Sequence, residues 1–285
     1  MLTIKPVVIM GATGTGKTKL SIDVCKLISG EVVNADKMQI YPGLDIATNK
    51  VHLKDGCGIP HHLIGAILAI TDDFSVSFFR SIATITTKSI VRRGHVPVLV
   101  GGSNSLIHGF LGVTLVDHFD PSLVDPFANA RYRPTLRFQS CLLWLHAHEL
   151  VLKEYLNHRV DDMVDAGLVE ELKEFFDSMA IRKLAEHTRL ARAIGVLELS
   201  EYFAGRKRLC VSIDEMKANT HALAKAQTAK IQHIVDVWGW PVCSLDATET
   251  IRAHLTGSND TVKAIAWERD VSGPALTTIN EFLDS

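Results

Sequence analysis

The most specific chemistry in the chain sits in Gly11-Ala12-Thr13-Gly14-Thr15-Gly16-Lys17-Thr18, which satisfies G-x-x-x-x-G-K-[ST] in full. In such a segment the glycines let backbone N–H groups curl around phosphate oxygens. The N-terminus of a following helix adds partial positive charge. Lys17 brings a full charge, and the Thr18 hydroxyl is placed to ligate Mg²⁺. The loop therefore binds a diphosphate or triphosphate, without saying which molecule carries it. A second chemical group, Asp36, closes the apolar run Glu31-Val32-Val33-Asn34-Ala35-Asp36, where a carboxylate can act as a base or help hold a metal.

The familiar uses of a phosphate loop separate on a few residues. A GTPase needs N-K-x-D, and Asn49-Lys50-Val51-His52 lacks the acid. A typical ATPase ends an apolar strand in a metal-holding Asp, but Val96-Pro97-Val98-Leu99-Val100 runs into Gly101-Gly102. A small-molecule kinase with Asp36 as its base stays open on these grounds. His61-His62 invites a metal reading, yet adjacent residues of an extended chain point opposite ways and Cys57 completes no ligand set. A structural or substrate-lining pair is the expectation there.

These groups need a scaffold, and the chain spells one. Val7–Met10 is short, apolar and β-branched, which predicts a buried strand leading into the loop. Leu20, Val24, Leu27 and Ile28 follow at helical spacing, and Ser29-Gly30 ends that helix. Glu31–Asp36, Val96–Val100 and Cys141–Leu145 predict further strands, and a helix over 75–91 stands between the second and third of these four. Strand–helix alternation implies a parallel sheet covered on both faces. From Glu149 to about Phe176 the apolar positions step by three and four, predicting one long amphipathic helix or two. A second long helix is predicted from Asp214 to about Trp238, and Pro241–Leu245 as a last strand returning to the sheet. Pro121, Pro126 and Pro134 mark 117–134 as irregular loop. The expected architecture is α/β: a P-loop NTPase-like parallel sheet flanked by helices over 1–148, completed by a strand near 240–246, with a smaller, mainly helical lobe over 149–238.

The bulk numbers constrain partners. With 285 residues, 47% hydrophobic and 22% charged, the composition is that of a globular protein. A formal net charge of −2 lacks the basic excess that phosphate neutralisation asks of a large nucleic-acid partner, so a small-molecule substrate is favoured. The five cysteines are scattered and odd in number, which fits a reducing compartment rather than a disulfide framework. No apolar run approaches the roughly 20 residues that span a bilayer, so no membrane partner is expected. No transit peptide precedes the first strand, so the expected location is the cytoplasm, or a plastid after removal of such a peptide.

Several segments in order resemble the adenylate and tRNA isopentenyltransferases, most closely the plant adenosine-phosphate branch that starts cytokinin synthesis. They are Gly11–Leu20, Asn34-Ala35-Asp36-Lys37-Met38-Gln39-Ile40-Tyr41, Gly43–Lys50, Ile59-Pro60-His61-His62-Leu63 and Val98–Asn104. Arg159-Val160-Asp161-Asp162-Met163, Arg192-Ala193-Ile194-Gly195-Val196 and Lys217-Ala218-Asn219-Thr220, with Gln227 and Lys230, continue the set. The resemblance covers roughly residues 5–250. It departs at Arg192, where the family often has Lys, and at Leu197, where it often has Pro. The segment 127–139 and the last 35 or so residues match little of the pattern.

The resemblance implies alkyl transfer: adenine N6 attacks C1 of dimethylallyl diphosphate and pyrophosphate leaves. It implies that the phosphate loop Gly11–Thr18, with Lys17 and Mg²⁺ held by Thr18, stabilises the leaving group. It implies Asp36 as general base, Thr13 as a hydroxyl near the reacting centre and Thr48 as a hydroxyl on the N6 side. Lys50, Arg192 and Lys230 become candidates for reaching substrate phosphates. ADP and ATP are the expected acceptors ahead of AMP. A tRNA dimethylallyltransferase is the alternative within the family, and the small-molecule kinase the alternative outside it. After Cys243 there is no cysteine, which leaves no C-terminal Cys₂His₂ finger of the kind eukaryotic tRNA members tend to carry.

Overall fold

A computed structural model describes residues 3–52, 54–67, 74–113, 127–128, 131–182 and 189–285. Much of the expected loop at 117–134, including Pro121 and Pro126, lies outside those residues. The order begins β1 (Val7–Gly11), α1 (Lys17–Ile28), β2 (Gly30–Asn34), β3 (His61–His62), α2 (Val76–Arg92), β4 (Val96–Gly101) and α3 (Asn104–Leu111). It continues with β5 (Cys141–His146), α4 (Glu149–Asp165), α5 (Leu168–Arg182), α6 (Val196–Phe203), α7 (Leu209–Asp236) and β6 (Val242–Asp246). The C-terminal segment forms α8 (Thr248–Leu255), α9 (Asp260–Trp267) and α10 (Gly273–Asp284).

Six parallel strands form one sheet in the order β3-β2-β4-β1-β5-β6. Alternation along each strand divides the interior in two. Val8, Met10, Val33, Leu99, Leu142 and Trp144 face one buried cluster, shared with Phe79 and Ile90 of α2, Phe110 of α3 and Ile231 and Ile234 of α7. Val7, Ile9, Val32, Val98, Leu143 and Leu145 face another, shared with Leu20 and Val24 of α1, Ile251 of α8 and Ile279 of α10. Burial on both faces explains why the strands read as continuous apolar runs. Val160 and Met163 of α4, Leu172 of α5 and Met216 of α7 belong to the first cluster, so these helices pack into the same core as the sheet.

The sheet is the parallel one that strand–helix alternation requires. The stretch from Glu149, expected as one long helix or two, is two, because the chain turns at Ala166 and Gly167, the latter with φ of 99°. His61–His62, expected as a structural or substrate-lining pair, also adds a short edge strand, paired as Val32 with His61 and Val33 with His62. Among the described residues no helix is long and apolar enough to cross a membrane.

One buried histidine gives the fold a measurable pH response. His108 is 6% exposed, its Nε2 lies 3.0 Å from the Tyr132 hydroxyl, and its ring is 5.0 Å from that of Trp238. Burial, with the nearby Arg80 charge, pushes its pKa down to about 4. Between pH 6.5 and 4 the unfolded chain takes a proton that the folded one refuses, so stability falls as pH drops through that window. The full effect is on the order of 3 kcal/mol. His108→Phe flattens this limb in urea titrations run from pH 7 to 4; parallel curves for the two proteins would exclude His108 as the group.

Candidate active site

The phosphate loop joins the C-terminal end of β1 to α1, at the middle of the sheet where chain connections part to either side. Ligands bind at such a switch point in open parallel sheets. The loop opens on a cavity of about 990 Å³ lined by Thr13, Gly14, Gly16, Lys17 and Thr18. That is large enough for two small substrates side by side. Gly101 closes the floor: a Cβ there would lie 2.2 Å from the Ala35 carbonyl oxygen, so the ends of β4 and β2 can meet only without a side chain.

Lys17 Nζ donates to the Ala12 carbonyl at 2.6 Å. Burial lowers its pKa to about 8, against the pull of Asp36 and with a push from Arg159. Thr18 is exposed at the loop's end and lines the cavity, while Gly11, Ala12 and Thr15 are buried beneath it. The Thr15 hydroxyl donates to the Ala12 carbonyl at 2.9 Å, bracing the loop from inside.

Asp36 faces the same cavity from the end of β2. Its Oδ1 accepts from the Met38 N–H at 2.9 Å and from the Gln39 N–H at 3.4 Å. The carboxylate therefore caps its own turn and still feels the charges of Lys17 and Arg159. The backbone around it is held by Lys37 N–H donating to Ser103 Oγ at 2.9 Å and by the Asn34 amide donating to the Leu63 carbonyl at 3.1 Å.

Thr48 and Lys50 line the cavity on the loop after β2. The Thr48 hydroxyl donates to the Leu44 carbonyl at 2.7 Å, so one of its roles is local capping. Lys50 Nζ donates to the Gly43 carbonyl and pairs with Asp45 at 2.7 Å. The loop is gripped from α5, where the Glu171 carboxylate accepts the Ile46 and Ala47 N–H groups at 2.9 Å each. His61 lines the cavity, while His62 points away to Glu31 at 2.6 Å, a carboxylate also bound by Arg93.

Two residues take places that sequence reasoning left without a role. Arg159 of α4 donates from Nη1 to the Thr13 hydroxyl at 2.9 Å, and burial holds its pKa below the ordinary guanidinium value. Its signal was a charge three residues after the buried Leu156, on the inward stripe of an amphipathic helix. Gln227 of α7 accepts the Thr13 N–H at 2.8 Å and donates to the Gly102 carbonyl at 3.0 Å. It ties the phosphate loop to the end of β4. Two expected phosphate ligands are not brought to the cavity wall. Arg192 is exposed on a 3₁₀ turn, Arg189–Arg192, and the Lys230 ammonium lies 5.4 Å from the centre of the Phe127 ring.

The arrangement holds cations and amides for a diphosphate on one wall and a carboxylate on another. The chain is similar to known proteins along nearly its whole length. The family model described as IPP transferase matches residues 39–123 and 120–233, and that described as Isopentenyl transferase matches residues 4–55. Adenylate isopentenyltransferase of Humulus lupulus is 39% identical, over 97% of this chain and 89% of its own length. Adenylate isopentenyltransferase 1, chloroplastic, of Arabidopsis thaliana is 38% identical, over 98% of this chain and 81% of its own. Among solved structures, a eukaryotic dimethylallyltransferase acting on tRNA superposes with a TM-score of 0.79 at 25% identity, covering 99% of this chain and 80% of that one. The tRNA isopentenylpyrophosphate transferase of Bacillus halodurans gives a TM-score of 0.69 at 27% identity, over 97% of this chain and 98% of that one. A phosphate loop facing an acid across one cavity, on a chain this similar along nearly its whole length, belongs to the isopentenyltransferase family, enzymes that transfer a prenyl group.

Proposed function

We propose that this enzyme transfers a dimethylallyl group from dimethylallyl diphosphate to N6 of an adenine nucleotide, the step that begins cytokinin synthesis, with ADP and ATP preferred over AMP. The observation that carries the reading is Asp36 facing the phosphate loop across a shared cavity. The barrier has two sources: charge building on the departing pyrophosphate, and an N6 lone pair delocalised into the adenine ring. Lys17 and the loop amides answer the first by meeting the leaving oxygens with donors already in place. Arg159 adds a second half-buried cation beside Thr13. Asp36 answers the second by accepting the N6 proton as the N6–C1 bond forms and the C1–O bond breaks, the electron pair leaving with pyrophosphate.

Mg²⁺ is part of the proposal. Among the described residues no group of three or more His, Cys, Asp or Glu side chains could hold a metal alone. The Thr18 hydroxyl at the cavity would supply one oxygen ligand, which fits a cation held chiefly by substrate phosphates. When bound, Mg²⁺ neutralises charge developing on the pyrophosphate. A plastid location belongs to the same proposal, since the Arabidopsis relative is named chloroplastic, and imaging a fluorescent fusion reads it.

The structural neighbours that act on tRNA favour a second reading, transfer to tRNA. The net charge of −2 weighs against it. One assay separates the two: protein, dimethylallyl diphosphate and Mg²⁺ are incubated with AMP, ADP, ATP or unmodified tRNA, and products are read by mass. Prenylated ADP and ATP are expected, with the higher kcat/KM. A higher kcat/KM on tRNA would overturn the nucleotide assignment.

A further inference from the structure

The residues beyond 247 carry no recognised motif, yet one of them reaches the phosphate loop. α9 ends at Trp267, a π-helical turn spans Glu268–Ser272, and α10 begins at Gly273. Trp267, Val271, Ala275 and Ile279 recur every four residues and are buried in the cluster that holds Leu20 and Val24 of α1. On a regular α-helix each four-residue step advances about 40° beyond a full turn, so three steps would carry this stripe about 120° around the axis. The wider π turn absorbs part of that drift and keeps the stripe on the face turned toward α1 and the sheet.

The Trp267 ring lies against Gly16, the last glycine of the loop. A Cβ built on Gly16 would stand 3.1 Å and 3.2 Å from Trp267 Cζ3 and Cη2. Gly16 has φ of 96° and directly precedes the first residue of α1. The indole N–H donates to Asp23 Oδ2 at 2.8 Å. Lys19 Nζ pairs with that carboxylate at 2.6 Å and lies 4.6 Å from the indole centre. A single side chain thus contacts the loop and two successive turns of the helix whose N-terminus faces the cavity.

We propose that Trp267 is a positioning residue for the phosphate loop, a wedge that fixes Gly16 and the start of α1 so that the loop donors are set for the diphosphate before it arrives. The proposal rests on the diphosphate-binding reading of the loop. Trp267 is not among the residues lining the cavity; it acts through Gly16, Lys19 and Asp23. Leucine in its place fills less of the space under Gly16 and lets the loop backbone settle away from its binding geometry.

The experiment is calorimetric titration of the full chain with inorganic pyrophosphate and excess Mg²⁺, run well below each variant's melting temperature. Trp267→Leu should weaken binding about 10- to 100-fold, as small displacements of preorganised groups do. Trp267→Phe, which keeps a ring under Gly16 and loses only the N–H, should restore most of it. Ile279→Ala removes a buried side chain from the same stripe but is not among the atoms nearest Gly16, and should lower stability while leaving affinity at the wild-type value. Equal affinity in wild type and Trp267→Leu, or an equal loss in Ile279→Ala, overturns the proposal while leaving the reading of the loop intact. A wild-type protein that binds no pyrophosphate overturns both. Should Trp267→Leu fail to fold, pyrophosphate-induced change in tryptophan emission decides: the larger part of it should vanish in Trp267→Phe, and its full retention overturns the wedge.

Discussion

Asp36→Asn should retain nucleotide affinity and lose about 10²–10⁴-fold in kcat, the usual effect of removing a general base. The structure makes this substitution clean. Asp36 Oδ1 accepts from the Met38 and Gln39 N–H groups, and an asparagine carbonyl can accept the same bonds, so the turn after β2 keeps its shape. What disappears is the capacity to take a proton. Removing the negative charge also takes away an attraction that acts on both Lys17 and Arg159. That change strengthens the field on a bound diphosphate, so donor KM should stay level or fall. A variant keeping more than about a tenth of the wild-type kcat would move the base elsewhere, or let N6 lose its proton directly to water or pyrophosphate. A variant that loses nucleotide or Mg²⁺ affinity at unchanged kcat would make Asp36 a binding residue, and the kinase-like reading would regain ground. Steady-state kinetics in both substrates, with isothermal titration of ADP, distinguishes the outcomes.

Both poles of this site were legible in the sequence, because each is local. The loop needs only a strand before it and a helix after it, and Val7–Met10 and the Leu20/Val24 spacing supply both. Asp36 declares itself as the acid ending a buried strand. The side chains that brace these groups were not legible as such, because they arrive from far along the chain. Gln227 stands 214 positions from the Thr13 N–H it accepts, and Arg159 stands 146 positions from the Thr13 hydroxyl. Both lie in segments that carry the family resemblance, but spacing alone assigns neither a partner. The two-residue strand at His61–His62 has no periodicity to detect and exists only because β2 offers it an edge. Arg192 and Lys230 show the opposite limit: a charge on a helical stretch says nothing about where its tip lies, and here one is exposed and the other lies over an aromatic ring.

Lys17→Ala should fail differently from Asp36→Asn. The ammonium meets the diphosphate in the ground state and meets more charge in the transition state, so its loss should raise donor KM and lower kcat together. Removing one preorganised donor to a developing oxyanion costs about 10²–10³-fold in kcat. A pH signature accompanies it. With its pKa lowered to about 8 by burial, Lys17 in the free enzyme loses its proton just above neutrality. Donor kcat/KM, which reports the free enzyme, should therefore fall as pH rises through about 8. Bound diphosphate favours the charged form and pushes the same titration upward, so the matching fall in kcat should come at higher pH. Stability moves the other way. The unfolded chain holds this proton up to about 10.5 while the folded one releases it near 8, so the group's contribution to stability increases with pH between those values and is lost again on acidification toward 8. In Lys17→Ala both the alkaline fall in kcat/KM and this alkaline gain in stability should be absent. An alkaline limb that survives the substitution unchanged would assign it to another group, and a kcat left at the wild-type value would remove Lys17 from the chemical step.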